Sequence, residues 1–358
     1  MTQIIGCGLL GNPNNFFIDH LAPLCAFFEF PIVTPFAENV FKYSRYYPDC
    51  KILVKNCSVR FLLENYTHVL YSSNPKPSFK DIIESEREKN PQEPICQRPL
   101  KLIHHFHGCS DKGYHSNWIS PNSHIKDLDL LLIYGKRFEK LLKDKKLYHL
   151  PKNIGYVGNY RYEYYLKHQN YLDNLVESEV FSQFDKKQQT LLYAPTWQDH
   201  ENSSSFLEMQ SIIIDQLPCD LNLIIKLHPN LLDQEPLVVR NLLEKSAKLS
   251  NVVILTRYPL IYPLIKKCDF YLSDHSSVSY DVLTFNKPMF FLNITTRPLT
   301  DKGAYIFKCG RVIEKKDFKE IYSIIRNEKS NYLSYQKKLY LEAFGTKFSV
   351  TKDLLKNL

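Results

Sequence analysis

Residues 270–293 read Phe270-Tyr-Leu-Ser-Asp-His-Ser-Ser-Val-Ser-Tyr-Asp-Val-Leu-Thr-Phe-Asn-Lys-Pro-Met-Phe-Phe-Leu-Asn293, and their pattern decides the fold class. Phe270, Tyr271 and Leu272 form a short apolar run, a strand candidate. Ser273, Asp274, His275, Ser276 and Ser277 follow as a hydroxyl-rich turn. Val278, Tyr280, Val282 and Leu283 then outline a short helix, and residues 289–292 a second strand. Strand, turn, helix, strand is the unit from which parallel sheets are built. The helix entry matters chemically. Its first N–H groups lack helical partners and carry partial positive charge, so such an end can hold phosphate. Two adjacent serines add donors without bulk. A plain N-cap is the competing reading, since Ser and Asp cap helices in proteins of every kind.

The same alternation runs through the whole chain. Apolar runs at 32–34, 52–54, 68–71, 102–106, 130–134 and 155–158 read as buried strands, and the opening residues as a first one. A second series starts at 191–194 and continues at 223–227, 252–255, 270–272 and 289–292. Amphipathic stretches at 16–28, 59–66, 206–217, 236–249 and 259–267 lie between them. Strands alternating with helical patterns predict parallel sheets covered by helices. Two series predict an α/β chain of two doubly wound domains. The boundary is expected within 159–189, a segment rich in Tyr, Lys, Glu and Gln that suits a long polar helix. The domains are drawn as 1–160 and 161–358, with the helices expected from 318 onward packing back on the first. In paired domains of this kind, ligands sit beyond the carboxyl ends of strands, in the cleft between the two.

The bulk numbers narrow the classes. The chain has 358 residues, 44% hydrophobic and 23% charged, as in a water-soluble globular protein. No uncharged apolar run reaches about 18 residues, so no membrane-spanning helix is expected. The N-terminus has no basic lead and no long apolar core, which argues against a signal peptide. Nine scattered cysteines with no Cys-x-x-Cys pair argue against structural zinc and for a reducing cytoplasm. The net charge of +8 lies in short clusters such as Lys136-Arg137, 140–146 and Lys186-Lys187. Nucleic acid, an anionic membrane or an anionic substrate would each suit that excess, and so would a solvated surface.

Four constellations could carry chemistry. In His104-His105-Phe106-His107-Gly108-Cys109-Ser110-Asp111-Lys112-Gly113, His107 would stand at the end of a strand, with Gly108 allowing a sharp turn. A histidine there can serve as a general base near neutral pH, and Lys112 can meet an anion. His105 and His107 would share a strand face, but no third ligand is near, so a metal is set aside. In Leu191-Leu192-Tyr193-Ala194-Pro195-Thr196-Trp197-Gln198-Asp199, a strand ends at proline before a Thr-Trp pair. In Ile224-Ile225-Lys226-Leu227-His228-Pro229-Asn230, His228 again follows a strand, with Lys226 as a nearby charge. The opening segment is the fourth.

In order, these segments resemble the CDP-glycerol glycerophosphotransferase family, the teichoic-acid primases and polymerases of bacterial cell-envelope synthesis. The resemblance rests on His107-Gly108-x-x-x-Lys112, Tyr193-Ala194-Pro195-Thr196-Trp197-x-Asp199, Lys226-x-His228-Pro229 and Ser273-Asp274-x-Ser276-Ser277-Val278, with Asp281 and Lys287-Pro288 beyond. It spans roughly residues 100–295. It implies a GT-B fold, two Rossmann-like domains facing across a cleft, the first receiving the acceptor and the second the donor. It implies transfer of a glycerol-phosphate or related polyol-phosphate unit from a CDP-linked donor to a hydroxyl of a polyprenyl-linked or saccharide acceptor. CMP would leave, with no cofactor and no dedicated metal. Carried over, His107 matches the proposed base and His228 the histidine at the donor pyrophosphate. Ser276 and Ser277 match the donor-phosphate turn, with Asp274, Lys226, Lys112 and Thr196 around it. Two departures stand out. Cys-Ser-Asp-Lys follows His107-Gly108 where Thr-Pro is usual, and Arg297 is the substitute for an arginine-bearing stretch.

Two other readings stay open: a GT-B glycosyltransferase or epimerase using a sugar nucleotide, and a non-catalytic nucleotide- or RNA-binding protein. No RNP, KH or helix-turn-helix pattern supports nucleic acid as a partner. The cluster Lys42-Tyr43-Ser44-Arg45-Tyr46-Tyr47 leaves peripheral contact with an anionic membrane open, so the expected place is the cytoplasm or its membrane face.

Overall fold

Two parallel sheets organise the chain in the computed structural model, which describes residues 4–11, 17–72, 78–114, 125–126, 128–346, 348, 350–356 and 358. The sheets belong to two units. Unit 1 comprises Met1–His107, Trp118–Tyr164 and Ala343–Leu358; unit 2 comprises Gly108–Asn117 and Tyr165–Glu342.

Unit 1 carries β1 (Gly6–Leu9), β2 (Ile32–Thr34), β3 (Ile52–Val54), β4 (His68–Tyr71), β5 (Lys101–His105), β6 (Leu130–Ile133) and β7 (Ile154–Tyr156) in the order β3-β2-β1-β4-β5-β6-β7. All pairings are parallel. The strands are short and apolar because both faces are covered, as at the wholly buried β4 and β6. Helices form where the local sequence caps them. Ser58 accepts from the Phe61 N–H ahead of Val59–Asn65, and Ser78 and Asp81 close a capping box ahead of Phe79–Lys89. The amphipathic stretch expected at 16–28 is the helix Ile18–Phe28; residue 16 lies outside the described residues.

Unit 2 carries β8 (Gln189–Tyr193), β9 (Leu221–Lys226), β10 (Val252–Leu255), β11 (Phe270–Ser273), β12 (Met289–Asn293) and β13 (Arg311–Glu314) in the order β10-β9-β8-β11-β12-β13. Its core joins Leu191, Tyr193, Leu223, Ile225, Leu272, Phe290 and Leu292 to Phe206, Met209 and Ile213 of the helix Phe206–Asp215. In both sheets the strand order reverses beside the first strand, between β1 and β4 and between β8 and β11. That reversal opens a crevice at the carboxyl edge, because the flanking crossovers leave to opposite sides. Register puts the strand ends level there: Tyr193 pairs with Ile225 on one side and Leu272 on the other.

The expected strands are present, with shifts at their ends. The run 102–106 is β5, which stops at His105, so His107 stands two residues beyond the sheet. His105 does not share an outward face with it. It is fully buried, and its Nδ1–H donates to the Leu132 carbonyl of β6 at 2.9 Å. The expected long polar helix at 159–189 is two helices, Tyr160–Lys167 and Gln169–Glu179, broken at His168. β13 was not expected: Arg311-Val-Ile-Glu314 is an edge strand whose polar ends face water, so it reads as a loop.

Candidate active site

The densest gathering of the singled-out residues lies at the β8/β11 reversal of unit 2. Its centre is Asp274, the first residue past β11 and wholly buried. Its Oδ1 accepts the Thr196 backbone N–H at 2.9 Å. Its Oδ2 accepts the Ser205 backbone N–H at 2.7 Å and the Ser205 hydroxyl at 2.8 Å. Asp274 therefore ties the end of β11 to the loop after β8. Burial pushes its carboxyl up, against the pull of the Ser205 N–H and the Lys112 charge. Beside it, the Ser273 hydroxyl donates to the Ala194 carbonyl at 2.5 Å.

Lys112 reaches the same loop. Its ammonium donates to Thr196 Oγ1 at 2.6 Å and pairs with Asp199 Oδ2 at 2.6 Å. Burial pushes the Asp199 carboxyl up. Lys112 and the Ser203 hydrogen bonds outweigh that and hold it below the ordinary carboxylate range. The neighbouring Asp111 is buried as well; its two oxygens accept the Tyr280 hydroxyl at 2.6 Å and the Ile306 N–H at 2.8 Å. The motif that begins at His107 is thus divided between the units. His107 closes a stretch of unit 1, while Gly108 opens the unit 2 segment at φ +109°, a conformation that favours glycine.

The turn after β11 keeps part of its cap. Ser276 is buried and its hydroxyl accepts the Val278 N–H at 3.4 Å. Ser277, at the N-cap of the helix Val278–Val282, makes no side-chain cap bond. His275 Nε2 lies 3.1 Å from Thr295 Oγ1. Burial, then the charges of Arg297 and Lys112, push its imidazole down to about 3, so it is neutral at pH 7. Arg297 donates to Glu201 Oε2 at 2.7 Å, with both side chains largely buried.

His228 follows β9 and caps the helix Pro229–Gln234, where Nδ1 accepts the Asn230 N–H at 3.2 Å. In the neutral ring that leaves the proton on Nε2, the nitrogen that can donate to an anion. Trp197 links it to the Thr196 loop, the two rings lying 6.1 Å apart. Lys226 is the last residue of β9, paired in register with Leu255 of β10. Asp281 accepts the Tyr262 hydroxyl at 3.0 Å and Lys287 donates to the Lys266 carbonyl, which gives both packing roles.

His107 belongs to unit 1. Its Nδ1–H points at the Ser72 carbonyl, 3.4 Å away, and its ring packs on Phe17 at 4.2 Å. That places it near the β1/β4 reversal, since Ser72 follows β4. Desolvation by the surrounding protein, against the Ser72 hydrogen bond, draws its imidazole below the usual range. Its surface is nevertheless open to water, which moderates that pull. With Nδ1 donating, Nε2 carries the lone pair of a base.

Asp111, Asp199, Glu201 and Ser203 to Ser205 assemble the loops. The sequence reading quoted Asp111 and Asp199 within motifs without giving either a role, and it passed over Glu201 and the run of three serines ahead of a helix. Among the described residues, no group of three or more His, Cys, Asp or Glu side chains is arranged to hold a metal ion, and all nine cysteines are free thiols. No described helix is long and apolar enough to cross a membrane.

Among solved structures, the wall teichoic acid polymerase TagF aligns with a TM-score of 0.61 at 13% identity, over 98% of this chain and 86% of that one. S. aureus MnaA with UDP gives 0.57 at 16%, over 98% and 93%. UDP-GlcNAc 2-epimerase from Neisseria meningitidis bound to UDP-GlcNAc gives 0.57 at 12%, over 99% and 100%. At such identities the likeness is one of fold, and that fold is GT-B-like. Curated protein sequences give no match. The profile for CDP-glycerol:poly(glycerophosphate) glycerophosphotransferase matches residues 122–343, well over half of the chain, and takes in the β8, β9 and β11 motifs. The chain therefore belongs to the CDP-glycerol glycerophosphotransferase family of transferases.

Proposed function

We propose that this enzyme moves a glycerol-phosphate, or related polyol-phosphate, unit from a CDP-linked donor to a hydroxyl of a lipid-linked or saccharide acceptor, and releases CMP. The observation that carries the reading is the convergence of Lys112, Thr196, Asp274, Ser276 and Ser277 at one strand-order reversal of unit 2. A pyrophosphate needs donors and positive charge. Lys112, the Thr196 and Ser277 hydroxyls, the His228 Nε2–H, Lys226 and Arg297 would supply them. Asp274 has both oxygens filled by Thr196 and Ser205, so its role is to shape the site. His107 would take the proton of the attacking hydroxyl at Nε2. The new P–O bond forms as the bond to CMP breaks, and CMP leaves as a phosphate, needing charge stabilisation more than a proton. TagF crystals soaked with CDPG support a CDP-linked donor by analogy. Drawing on a nucleotide donor would place the chain in the cytoplasm, at the inner face of the membrane when the acceptor is lipid-linked.

The test is CMP release from CDP-glycerol and CDP-ribitol, against UDP release from UDP-GlcNAc, with an oligo(glycerophosphate) or a polyprenyl-phosphate-linked saccharide as acceptor. A CDP-polyol is expected to turn over, with a loss of about 10²- to 10⁴-fold in His107→Ala. Turnover of UDP-GlcNAc alone would overturn the cytidine donor. Wild-type rates in both His107→Ala and His228→Ala would overturn the assigned roles.

A further inference from the structure

Glu201 belongs to none of the motifs, yet only 7% of its side chain is exposed. A buried carboxylate carries a desolvation cost that a partner must offset. The partner is Arg297, whose Nη1 donates to Glu201 Oε2 at 2.7 Å and whose side chain is 16% exposed. Two residues earlier, Asp199 holds Lys112 in the same way at 2.6 Å. Asp199 Oδ1 also accepts the Glu201 backbone N–H at 3.1 Å, so one turn of chain carries both carboxylates. Burial first, then the charges of Arg297 and Lys112, act on the imidazole of His275, which adjoins Ser276. Both cations therefore stand near the serine turn, and the segment 199–201 fixes both. The loop that presents Arg297 is strained. Thr296 has φ +53°, a left-handed conformation that a β-branched residue rarely adopts. Its side chain is exposed and donates to the neighbouring Thr295 carbonyl, so its own packing does not offset the strain. Strain held in this way collects at ligand sites. Arg297 holds it, through the Glu201 pair and through its carbonyl, which accepts the Asn293 amide at 3.3 Å.

We infer that Glu201 is a positioning residue, which holds Arg297 so that the rest of the guanidinium meets a phosphate of the bound nucleotide. The inference rests on reading the β8/β11 crevice as the donor site. A guanidinium offers five N–H groups in one plane. Among the described residues its bond to Glu201 is the only hydrogen bond it makes, so one edge is occupied and the others are left for an anion. Glu201 Oε1 is buried and has no partner among the described residues. The carboxylate thus has a second oxygen with which to follow Arg297 as it shifts onto a phosphate. Without Glu201, a long and flexible cation would have to be ordered by the ligand itself, which weakens binding.

The experiment titrates the full chain calorimetrically with inorganic pyrophosphate and with CDP-glycerol, at one ionic strength. Glu201→Gln keeps a carbonyl acceptor for Arg297, and Glu201→Ala removes it. Glu201→Ala is expected to bind both ligands about tenfold more weakly than Glu201→Gln, the worth of one hydrogen bond to a charged group. When each is combined with Arg297→Met, the two should bind alike, and no better than Glu201→Ala alone. Arg297→Met is always paired with a change at Glu201, so that no unpaired carboxylate is left buried. In turnover the KM for CDP-glycerol should follow these affinities, while the KM for the acceptor stays put. Equal or tighter binding by Glu201→Ala than by Glu201→Gln would overturn the inference. So would the same gap in the Arg297→Met background, which would mean that Glu201 acts by packing and not through Arg297. If no CDP-polyol turns over, the transfer reading fails, and the pyrophosphate titration still decides the role of Glu201.

Discussion

Replacing Asp274 by alanine tests the central arrangement of unit 2. The carboxylate accepts three hydrogen bonds in a fully buried place: the Thr196 N–H, the Ser205 N–H and the Ser205 hydroxyl. The hydroxyl has a second partner, since Tyr193 Oη lies 2.7 Å from it, so it can turn and stay satisfied. The two backbone N–H groups have no such alternative. A buried donor left without an acceptor costs about 1–3 kcal/mol, so Asp274→Ala should lose about 2–6 kcal/mol. Asp274→Asn keeps one acceptor oxygen and should lose about half of that. Domain stabilities run to about 5–15 kcal/mol, so the alanine variant should be close to unfolding at unit 2. The assay is urea unfolding followed by Trp197 fluorescence in a Trp118→Phe background, because Trp197 adjoins Thr196 and packs on the unit 2 core. A loss below about 0.5 kcal/mol in Asp274→Ala would falsify the clamp, because that is the range of ordinary surface substitutions.

Two further outcomes are expected. Lys112→Met leaves the Asp199 carboxylate unpaired where only 10% of its side chain is exposed, so it should cost about 3 kcal/mol. Lys112→Met with Asp199→Asn should recover at least half, read as a double-mutant cycle in urea; additive losses would show that the pair is not coupled. The second concerns pH. Burial, against the Leu132 hydrogen bond, pushes His105 down to about 3, so the folded protein keeps it neutral. The unfolded ring titrates near 6.5 and takes up protons first, so its contribution is full above about pH 6.5 and is lost as pH falls toward 3. At pH 5 the loss is about 2 kcal/mol relative to pH 8. His275 adds a similar loss, so His105→Gln, which keeps a donor for Leu132, should remove only the His105 share of about 2 kcal/mol, and an unchanged profile between pH 8 and 5 would count against it.

Much of the fold was legible because parallel strands buried on both faces must be continuous apolar runs. Every expected run from 32–34 to 289–292 became a strand. What escaped was set by position in the sheet. β13 is an edge strand with only Val312 and Ile313 apolar, so its sequence carries no strand signal. His105 and His107 look equivalent in sequence, yet the strand ends between them and one is sealed against Leu132 while the other reaches water. Asp274 reads in sequence as a ligand contact; in the fold its two oxygens accept from Thr196 and Ser205. Asp111 and Asp199 lay inside the quoted motifs and acquired roles only through partners tens of residues away.

The sequence by itself determined the α/β class, the two sheet series and the short segments after strands where chemistry is placed. These follow from local periodicity, which neighbouring residues settle among themselves. The tertiary structure decided which of those side chains meet. Thr196 and Asp274 are 78 residues apart, and Lys112 and Thr196 are 84 apart. They come together because the strand order reverses between β8 and β11 and the register brings both strand ends to the same edge. The turn at 273–277 shows the limit of local reading: its serines mark a helix entry in any fold, and the crevice around them exists only once the sheet has formed.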